Sequence, residues 1–517
     1  MSFVDNIALG LTVAFSATNL LYCFIGVFLG TLFGVIPGIG ALSAMSLLFP
    51  LTFYLDPTTA LIMLAGIWYG TAYGGSTAAI LLNLPGSASS AATTFDGYPM
   101  SRQGRGGVAL LMVTVGSFVG GSIGILLMTI FSPSIAKFAL SFQSPEYFSI
   151  IVLGLIACSA ISEGSAAKSF AMITIGLIVG TVGLDMYTAI PRFTFGFVHL
   201  DDGFALTALA MGLFGVAEII YSIGRVDVRA VDKSAAKWKA MKPTPQDWKR
   251  SWGAMWRGSA IGSFFGAMPG TGPSIAAFVS YAVEKRVSKH PEEFGHGAIE
   301  GVVAPETANN AADQTAFIPT MALGVPGSAT MALMLGVLMM HGVTPGPQLI
   351  TEHPGMFWGL VMSFWIGNVL LVILNLPLIG LWVRMLTVPY HILYPIVLIF
   401  ICVGMFTVHN NIVDLWIVAG FGVLGYLLKL GDFPSAPLLV GFVLGPLLEE
   451  HFRRSMLLSR GDLAIFVNRP ISAIILVVSV ALLAWSLYAA LQYRSKLRAL
   501  AANPVLPAPE ASDPAKA

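Results

Sequence analysis

Charged side chains are scarce in this chain. Asp, Glu, Lys and Arg make up 10% of its 517 residues, whereas soluble domains carry roughly 25%. Cysteine is also rare, and its three residues, Cys23, Cys158 and Cys402, each lie in an apolar stretch. We expect packed thiols with no redox or metal role. The formal net charge of +1 says little about partners.

Long hydrophobic stretches are abundant instead. Hydrophobic residues make up 56% of the chain, and its mean hydropathy is +0.81. Charge-free stretches that reach or exceed the roughly 20 residues needed to cross a bilayer include Asn6–Leu55, Gly106–Ala136, Gly355–Val383, Met385–Val413 and Pro470–Tyr493. Barrel strands would alternate apolar and polar residues over about ten positions. The composition therefore predicts an all-α polytopic membrane protein, with about twelve transmembrane helices (about 10–14).

The longest basic segment divides the chain nearly in half. Residues 225–258 hold nine Lys or Arg against three Asp, with four Trp. Positive charge near membrane ends stays in the cytoplasm, and Trp favours the interface. A nucleic-acid patch is the rival interpretation, but lipid headgroup contact accounts for so short a segment. We predict a first transmembrane repeat (1–224), a cytoplasmic linker (225–257), a second repeat with extra C-terminal helices (258–493) and a disordered tail (494–517).

The N-terminus has no Lys or Arg before its first apolar stretch. It therefore lacks the charged start of a secretory signal. We expect this segment to be retained.

Two motifs recur in the same order in the two halves. "GVIPGIGALSA" (34–44) matches "GAMPGTGPSIA" (266–276), and "LPGSAS" (84–89) matches "VPGSAT" (325–330). Matching positions lie 232 and 241 residues apart. Duplicated halves with Pro/Gly-interrupted helices in corresponding positions indicate a transporter whose binding site lies between the halves.

The Pro-Gly-Ser segments are candidate substrate-binding elements. Proline removes a helical hydrogen bond, and non-helical backbone at membrane depth survives only inside protein or beside a wet cavity. The N-terminus of a half-helix offers free N–H groups and partial positive charge to an anion. Kinks packed by small residues are the alternative. The predicted substrate-binding residues are Asn83, Pro85, Gly86, Ser87, Ser89, Gly324, Pro326, Gly327, Ser328 and Thr330, with side-chain contacts from Asn309 and Asn310.

The Pro-Gly-x-Gly motifs are predicted hairpin tips, at Pro37, Gly38, Gly40, Pro269, Gly270 and Gly272. About ten residues separate the end of the basic segment from Pro269, too few to span. A re-entrant hairpin would return the cations of 284–296 to the cytoplasm, whereas a single 26-residue helix would place them outside. Counting four helices from the basic segment puts Arg102 and Arg105 on the cytoplasmic side.

Polar residues cluster in "APETANNAADQTAFIPT" (304–320). Helical spacing places Glu306, Asn309, Asn310 and Asp313 on one face. Ionisable groups at membrane depth are functional candidates, so Glu306 and Asp313 are the candidates for binding a coupling Na⁺ or H⁺. A solvated loop at the membrane interface is the alternative.

Two further expectations concern chemistry and topology. Asp96, in "FDGYP", is expected to begin a turn. The sequence has neither a metal motif nor a nucleophile–base pattern that would indicate an enzyme.

The C-terminal part presents a conflict of topology. The cytoplasm is favoured by Arg453, Arg454 and Arg460 and also by the cations after residue 493, yet one predicted helix separates the two groups. An interfacial helix at 449–465 would relieve this conflict.

The motifs together resemble a known family. "GVIPGIG" with "NLPGSASSAATTFDGYP", the "PETANNAADQTAFIPTMALGVPGSATMALMLGVLMMHGVTPGPQL" stretch and 445–472 are similar to the large membrane subunit of tripartite tricarboxylate transporters. The similarity extends from about Asn6 to Tyr493. The resemblance implies a secondary transporter of the bacterial inner membrane for citrate and other carboxylates, driven by Na⁺ or H⁺. It also implies a periplasmic solute-binding protein and a small membrane subunit as partners. The permease subunit of an ATP-driven importer is the alternative function.

Overall fold

A computed structural model describes residues 2–36, 39–161, 165–223, 238–386, 388 and 390–502. The described chain is almost entirely helical, with one two-stranded antiparallel ribbon. The predicted hairpin-tip residues Pro37 and Gly38 lie outside the described residues.

The longest apolar helix before the first Pro-Gly-Ser segment, α4, begins with a polar cap. Asp56 caps α4 by accepting from the N–H of Thr58, and Pro57 opens that helix, a position where its missing N–H costs nothing. The elements are α1 (Phe3–Ala14), α2 (Ala17–Val35), α3 (Ala41–Leu48), α4 (Pro57–Leu82), α5 (Thr94–Arg102), α6 (Gly106–Ala139), α7 (Ser144–Ile161), α8 (Ala166–Gly180), β1 (Gly183–Leu184), β2 (Pro191–Arg192), α9 (Leu206–Ala210) and α10 (Ala217–Ser222), with a π-helical segment Met211–Val216 between α9 and α10.

The second part begins with a capping box, in which Thr244 and Asp247 satisfy each other's backbone N–H groups at the start of α11. This helix starts inside the predicted 225–257 linker, so the last part of that segment is helical. The elements are α11 (Pro245–Ala267), α12 (Gly272–Val287), α13 (Ile299–Thr315), α14 (Phe317–Leu323), α15 (Ala329–Met340), α16 (Pro347–Glu352), α17 (Pro354–Asn375), α18 (Ile379–Met385), α19 (Tyr390–His409), α20 (Ile412–Leu430), α21 (Ala436–Leu458), α22 (Ile465–Asn468) and α23 (Pro470–Ala502).

Four helices in the described residues are long and apolar enough to cross a membrane, namely α2, α6, α17 and α20. Eight shorter apolar helices accompany them. The chain is thus a multi-pass helical membrane protein, as predicted. The number of about twelve spans and the division into four segments stay predictions.

Stripes of glycine let two helix pairs pack closely. Gly26, Gly30 and Gly34 of α2 face the backbone of α4, and Gly258, Gly262 and Gly266 of α11 face the backbone of α13. Small residues allow such close approach in membrane bundles. The two stripes are 232 positions apart, and the facing residues Met63 and Ala304 are 241 positions apart. These are the offsets of the two sequence motifs.

The two motif-carrying helices, α4 and α13, run in opposite directions. In the middle of α4, Trp68 packs on Phe317, just beyond the end of α13, with ring centroids 5.4 Å apart. Near the end of α4, Ile80 adjoins Gly97, and the neighbouring Asp96 adjoins Gly301 at the start of α13. The Pro-Gly-Ser segments that follow α4 and α14 are therefore approached from opposite sides of the protein.

The face of the protein that carries the basic segment is marked by ion pairs. Arg105, just before α6, pairs with Asp247 of α11 at 2.6 Å. Arg105 thus lies on the same face as the basic segment, as the helix count predicts. From there α6 extends for 34 residues, about 51 Å at 1.5 Å per residue.

Helices α11 and α12 form a hairpin. Arg257 of α11 pairs with Glu284 of α12 at 2.6 Å, so the chain reverses between them. The turn contains Pro269 and Gly270, and Gly270 has φ +86°. The single continuous helix is therefore wrong. The first arm is 23 residues long, more than twice the predicted length, because the helix already begins at Pro245.

The interfacial helix predicted at 449–465 is wrong, because α21 continues without a break to Leu458. Its arginines lie near the far end of α6, where Tyr147 stacks on His451 at 4.9 Å. Arg453 pairs with Asp185 at 2.7 Å and with Glu449 at 2.6 Å. Local ion pairs therefore hold cations on the face opposite the basic segment.

Candidate functional site

A cavity of about 650 Å³, which we call the main cavity, brings the motifs of both halves together. Its wall includes residues of both Pro-Gly-Ser segments, the last glycine of the first Pro-Gly-x-Gly motif and the turn of the second. The predicted residues that line it are Gly40, Pro85, Gly86, Ser87, Ser89, Gly270, Gly272, Gly327, Ser328 and Thr330. Segments 232 and 241 residues apart thus meet at one site.

Four α-helices begin at this cavity. Their first turns supply wall residues, and the residues before them are Gly40 for α3, Thr271 for α12, Ser328 for α15 and Ser435 for α21. The N-terminus of a helix carries partial positive charge and unsatisfied N–H groups. Their convergence makes the cavity suitable for an anion.

The starts of these helices differ in how their N–H groups are satisfied. The hydroxyl of Ser328 accepts a 3.3 Å hydrogen bond from the N–H of Met331. The starts of α3, α12 and α21 have no side-chain cap. The hydroxyl of Thr271 instead donates to the carbonyl of Met268 at 3.0 Å, which leaves the first turn of α12 open to a ligand.

Hydroxyl groups add further polarity to the wall. The Ser87 hydroxyl lies 2.9 Å from that of Ser89 and 2.8 Å from that of Ser90. The one charged side chain among the described wall residues is Glu218, which forms an ion pair with Lys429. No described Lys or Arg lines the cavity, so N–H and O–H dipoles provide its attraction for anions.

The Pro-Gly-Ser segments resemble each other at their starts and differ at their ends. Each begins with a left-handed residue that ends the preceding helix, Asn83 (φ 58°) and Gly324 (φ 71°). Ser328 leads directly into the twelve-residue α15. Ser87 precedes only a three-residue 3₁₀ turn. The prediction of two equivalent half-helix N-termini is therefore wrong for the first half.

Several predicted substrate contacts lie away from the cavity. The Asn83 side chain is exposed but does not line the cavity. The backbone of Asn83 ends α4. The remaining residues outside the cavity wall are Pro269, Glu306, Asn309, Asn310, Asp313, Gly324 and Pro326. The face of α13 that carries the polar residues packs inside the protein, which helical spacing alone cannot reveal.

All residues of α13 are buried, so the solvated interface loop is wrong for this stretch. The Glu306 carboxylate accepts hydrogen bonds from Thr93 at 2.5 Å and from Asn309 at 3.1 Å. Asn310 donates to Ser117 at 2.9 Å. The asparagines thus join α13 to α6 and support Glu306, rather than reaching the cavity.

Asp313 differs from Glu306 in its surroundings. Its side chain is 1% exposed, and neither carboxylate oxygen has a hydrogen-bond partner among the described residues. A buried carboxylate without donors is unstable unless it is protonated or holds a cation. Asp313 is therefore better placed than Glu306 to take up a proton or a cation.

A second cavity, of about 310 Å³, reaches the other end of the α14–α15 connection. Gly324 lines it, together with Tyr147, His451 and Arg454. The four residues from Gly324 to Gly327 therefore extend from one cavity to the other.

Two residues were missed or misjudged from sequence. Asp96 lies inside α5 and does not begin a turn, because partners almost 200 positions away satisfy its carboxylate. Ser435 lines the main cavity but was not predicted. The sequence "PSAP" could have indicated a helix start at this serine, because serine often precedes a helix whose first turn contains a proline.

Comparison with known proteins identifies a family and two relatives. The model of the tripartite tricarboxylate transporter TctA family matches residues 20–440. The chain is 49% identical over 481 residues to an uncharacterized 52.8 kDa protein in the TAR-I ttuC' 3' region of Agrobacterium vitis, covering 93% of this chain and 95% of that protein.

A second relative from Agrobacterium vitis, an uncharacterized protein in the TAR-II ttuC' 3' region, is 57% identical over 202 residues, 39% of this chain and 84% of the relative. No solved structure matches. Since the family model matches most of the chain, this chain belongs to the tripartite tricarboxylate transporter TctA family.

Proposed function

We propose that this protein is the large permease subunit of a binding-protein-dependent transporter and takes up organic di- or tricarboxylates, such as citrate, across the bacterial inner membrane. The observation that carries this proposal is the convergence of four helix N-termini on one cavity whose described wall residues include no Lys or Arg. Fixed N–H dipoles attract a carboxylate. A full Lys or Arg charge would hold it more strongly and slow its release.

The carboxylate is held by groups from both halves. Ser87 and Ser89 supply hydroxyls from the first half, and Ser328 and Thr330 supply hydroxyls and the start of α15 from the second. A transporter site must be favourable enough to fill and weak enough to empty. Neutral donors satisfy both needs.

Uptake is coupled to Na⁺ or H⁺, with Asp313 as the main candidate for the coupling site. Its unpartnered, buried carboxylate is the kind of group that takes up a proton or a hard cation. Glu306, seven positions earlier on the same helix, is the second candidate. Its oxygens already accept from Thr93 and Asn309.

The two cavities support alternating access. The main cavity and the second cavity both adjoin the Gly324–Ser328 connection. A small movement of this connection would exchange access between the two sides. A periplasmic solute-binding protein delivers the substrate to one face, and a small membrane subunit completes the assembly.

Right-side-out membrane vesicles can test this function. They would be prepared from bacteria that produce the full chain with the products of its adjoining genes, and supplied with radiolabelled citrate or succinate. We expect accumulation when an inward Na⁺ or proton gradient is imposed without ATP. Accumulation only with ATP would favour the ATP-driven alternative. Failure to accumulate either acid under any of these conditions would overturn the proposal.

A further inference from the structure

Ser435 is a buried donor at the cavity, and the paired motifs do not include it. Its side chain is 8% exposed and lines the main cavity. Its hydroxyl has no hydrogen-bond partner among the described residues. Buried hydroxyls are normally paired, so an unpartnered one at a cavity wall points to a ligand.

The backbone beside Ser435 provides further donors. The first helical hydrogen bond of α21 joins the N–H of Leu439 to the carbonyl of Ser435 at 3.4 Å. The N–H groups of Ala436 and Leu438 therefore precede the helical ladder, and Pro437 has no N–H. Of these two residues, Ala436 lines the main cavity, whereas Leu438 is buried and does not line it. The Ser435 hydroxyl and the Ala436 N–H thus form two donors at the positive end of a 23-residue helix.

The turn before α21 is held in place from outside. The ammonium of Lys168 donates to the carbonyl of Gly431 at 2.7 Å and lies 4.7 Å from the centre of the Phe433 ring. Asp432 adopts a left-handed conformation, with φ 53°. The start of α21 is thus fixed relative to α8, independently of the Pro-Gly segments.

We propose that Ser435, with the free N–H group of Ala436, binds a second carboxylate of the substrate. This inference rests on the proposed function and deepens it. The first carboxylate is held by the donors at Ser87 and Ser328. A substrate with two or more carboxylates joins the start of α21 to the paired motifs, whereas a monocarboxylate engages only one of the two positions.

Binding measurements on the purified full-length protein can test this proposal. Titration calorimetry would use succinate, citrate and butyrate, because succinate and butyrate share a four-carbon chain and differ by one carboxylate. In Ser435→Ala, we expect the Kd for succinate and citrate to rise about tenfold or more, as is typical when a hydrogen bond to a charged group is lost. Butyrate affinity should change less than twofold.

Two matched variants separate binding from structure. Ser435→Thr keeps the hydroxyl and should restore most of the succinate affinity. Ser132→Ala removes another buried, unpartnered hydroxyl, one that does not line the main cavity, and should bind all three acids like the wild type. Thermal unfolding of each variant would confirm a folded state.

The outcomes distinguish this inference from the proposed function. Unchanged succinate and citrate binding in Ser435→Ala would overturn the second carboxylate position and leave the transporter function intact. Equal weakening for butyrate and succinate would also overturn it, because the loss would not depend on the second carboxylate. Failure of the wild type to bind any of the three acids would contradict both proposals.

Discussion

The hydroxyl of Tyr281 donates a 2.9 Å hydrogen bond to the carboxylate of Asp96. The same carboxylate accepts from the backbone N–H groups of Gly295, Gly297 and Ala298 at 2.8–2.9 Å. One fully buried side chain of α5 thus satisfies three backbone donors from the segment that connects α12 to α13 and one hydroxyl donor from α12. This contact ties the first Pro-Gly-Ser segment to the start of α13.

Replacing Asp96 with Asn should destabilise this connection. The amide would present its own N–H donors to a site made entirely of donors, and hydrogen bonds to a charge would be lost, at a cost of about 3 kcal/mol. We expect a lower unfolding temperature in detergent, measured by differential scanning fluorimetry. Glu352→Gln, a charge removal at an exposed position, serves as the control. Equal unfolding temperatures for the two variants would contradict the role of Asp96.

Bulky residues at the two Pro-Gly-Ser segments should abolish transport. In the Ser87→Leu/Ser328→Leu variant, two side chains would fill part of the 650 Å³ cavity and displace hydroxyl donors from its wall. We expect citrate uptake by vesicles to fall to background while the amount of protein in the membrane stays normal on immunoblots. Ser141→Leu, at an exposed position, should transport normally. Wild-type uptake by the double variant would contradict the cavity assignment.

The native thiol of Cys158 reports on access to the same cavity. Cys158 lines the wall, so we expect a small anionic methanethiosulfonate reagent to modify its thiol. Mass spectrometry would measure the extent of this modification. Citrate should slow this modification by occupying the cavity. Cys158→Ala identifies which modification belongs to Cys158, because Cys402 is exposed and would react as well. A modification rate that citrate does not alter would place its binding elsewhere.

Asp313→Asn should uncouple transport from the ion gradient. The amide preserves the shape of the side chain but removes the charge that a cation or proton would neutralise. We expect the variant still to bind citrate in calorimetry, with accumulation in vesicles no longer driven by a Na⁺ or proton gradient. Glu306→Gln is the matched variant on the same helix and should retain gradient dependence. The opposite pattern would transfer the coupling role to Glu306.

The ribbon between α8 and α9 should remain anchored over the physiological pH range. The backbone N–H of Thr188 donates to Asp185, and this bond together with Arg453 holds the pKa of that carboxyl well below its usual range, against the opposing effect of burial. A lowered pKa stabilises the fold above the unfolded pKa of about 3.9, and this contribution is lost as the pH falls through the folded value.

Limited proteolysis of right-side-out vesicles can measure this anchoring. We expect little cleavage within residues 181–205 between pH 5 and pH 8 in the wild type. Asp185→Ala should be cut faster at every pH, because Arg453 and the Thr188 N–H lose their acceptor. Asp202→Ala, in the same segment, is the control. Equal cleavage of the two variants would show that Asp185 does not hold the ribbon.

Features that depend on neighbouring residues were predictable from the sequence. Scarce charge and long apolar stretches indicate membrane helices because burial in lipid depends on each segment's own composition. The break at Pro269 and Gly270 follows from backbone chemistry at those two residues. The hairpin at this turn and the position of Arg105 beside the basic segment were therefore correctly predicted.

Features that depend on distant partners were not predictable. Asp96 has a local sequence typical of a turn, and Arg453 has one typical of a cytoplasmic loop, but both have partners far along the chain. Asn309 and Asn310 show the same limit. Helical spacing placed them on one face of α13, but it could not show that α6 covers that face.

The sequence by itself determined that the protein is a helical membrane protein with two pairs of broken segments, because hydropathy and backbone breaks are local properties. Only the tertiary structure decided that α4 and α13 run in opposite directions, that both motif pairs meet at one cavity, and that α21 begins there as well. These relationships arise from the packing of helices hundreds of residues apart, for which glycine stripes permit close contact but do not alone specify the partner.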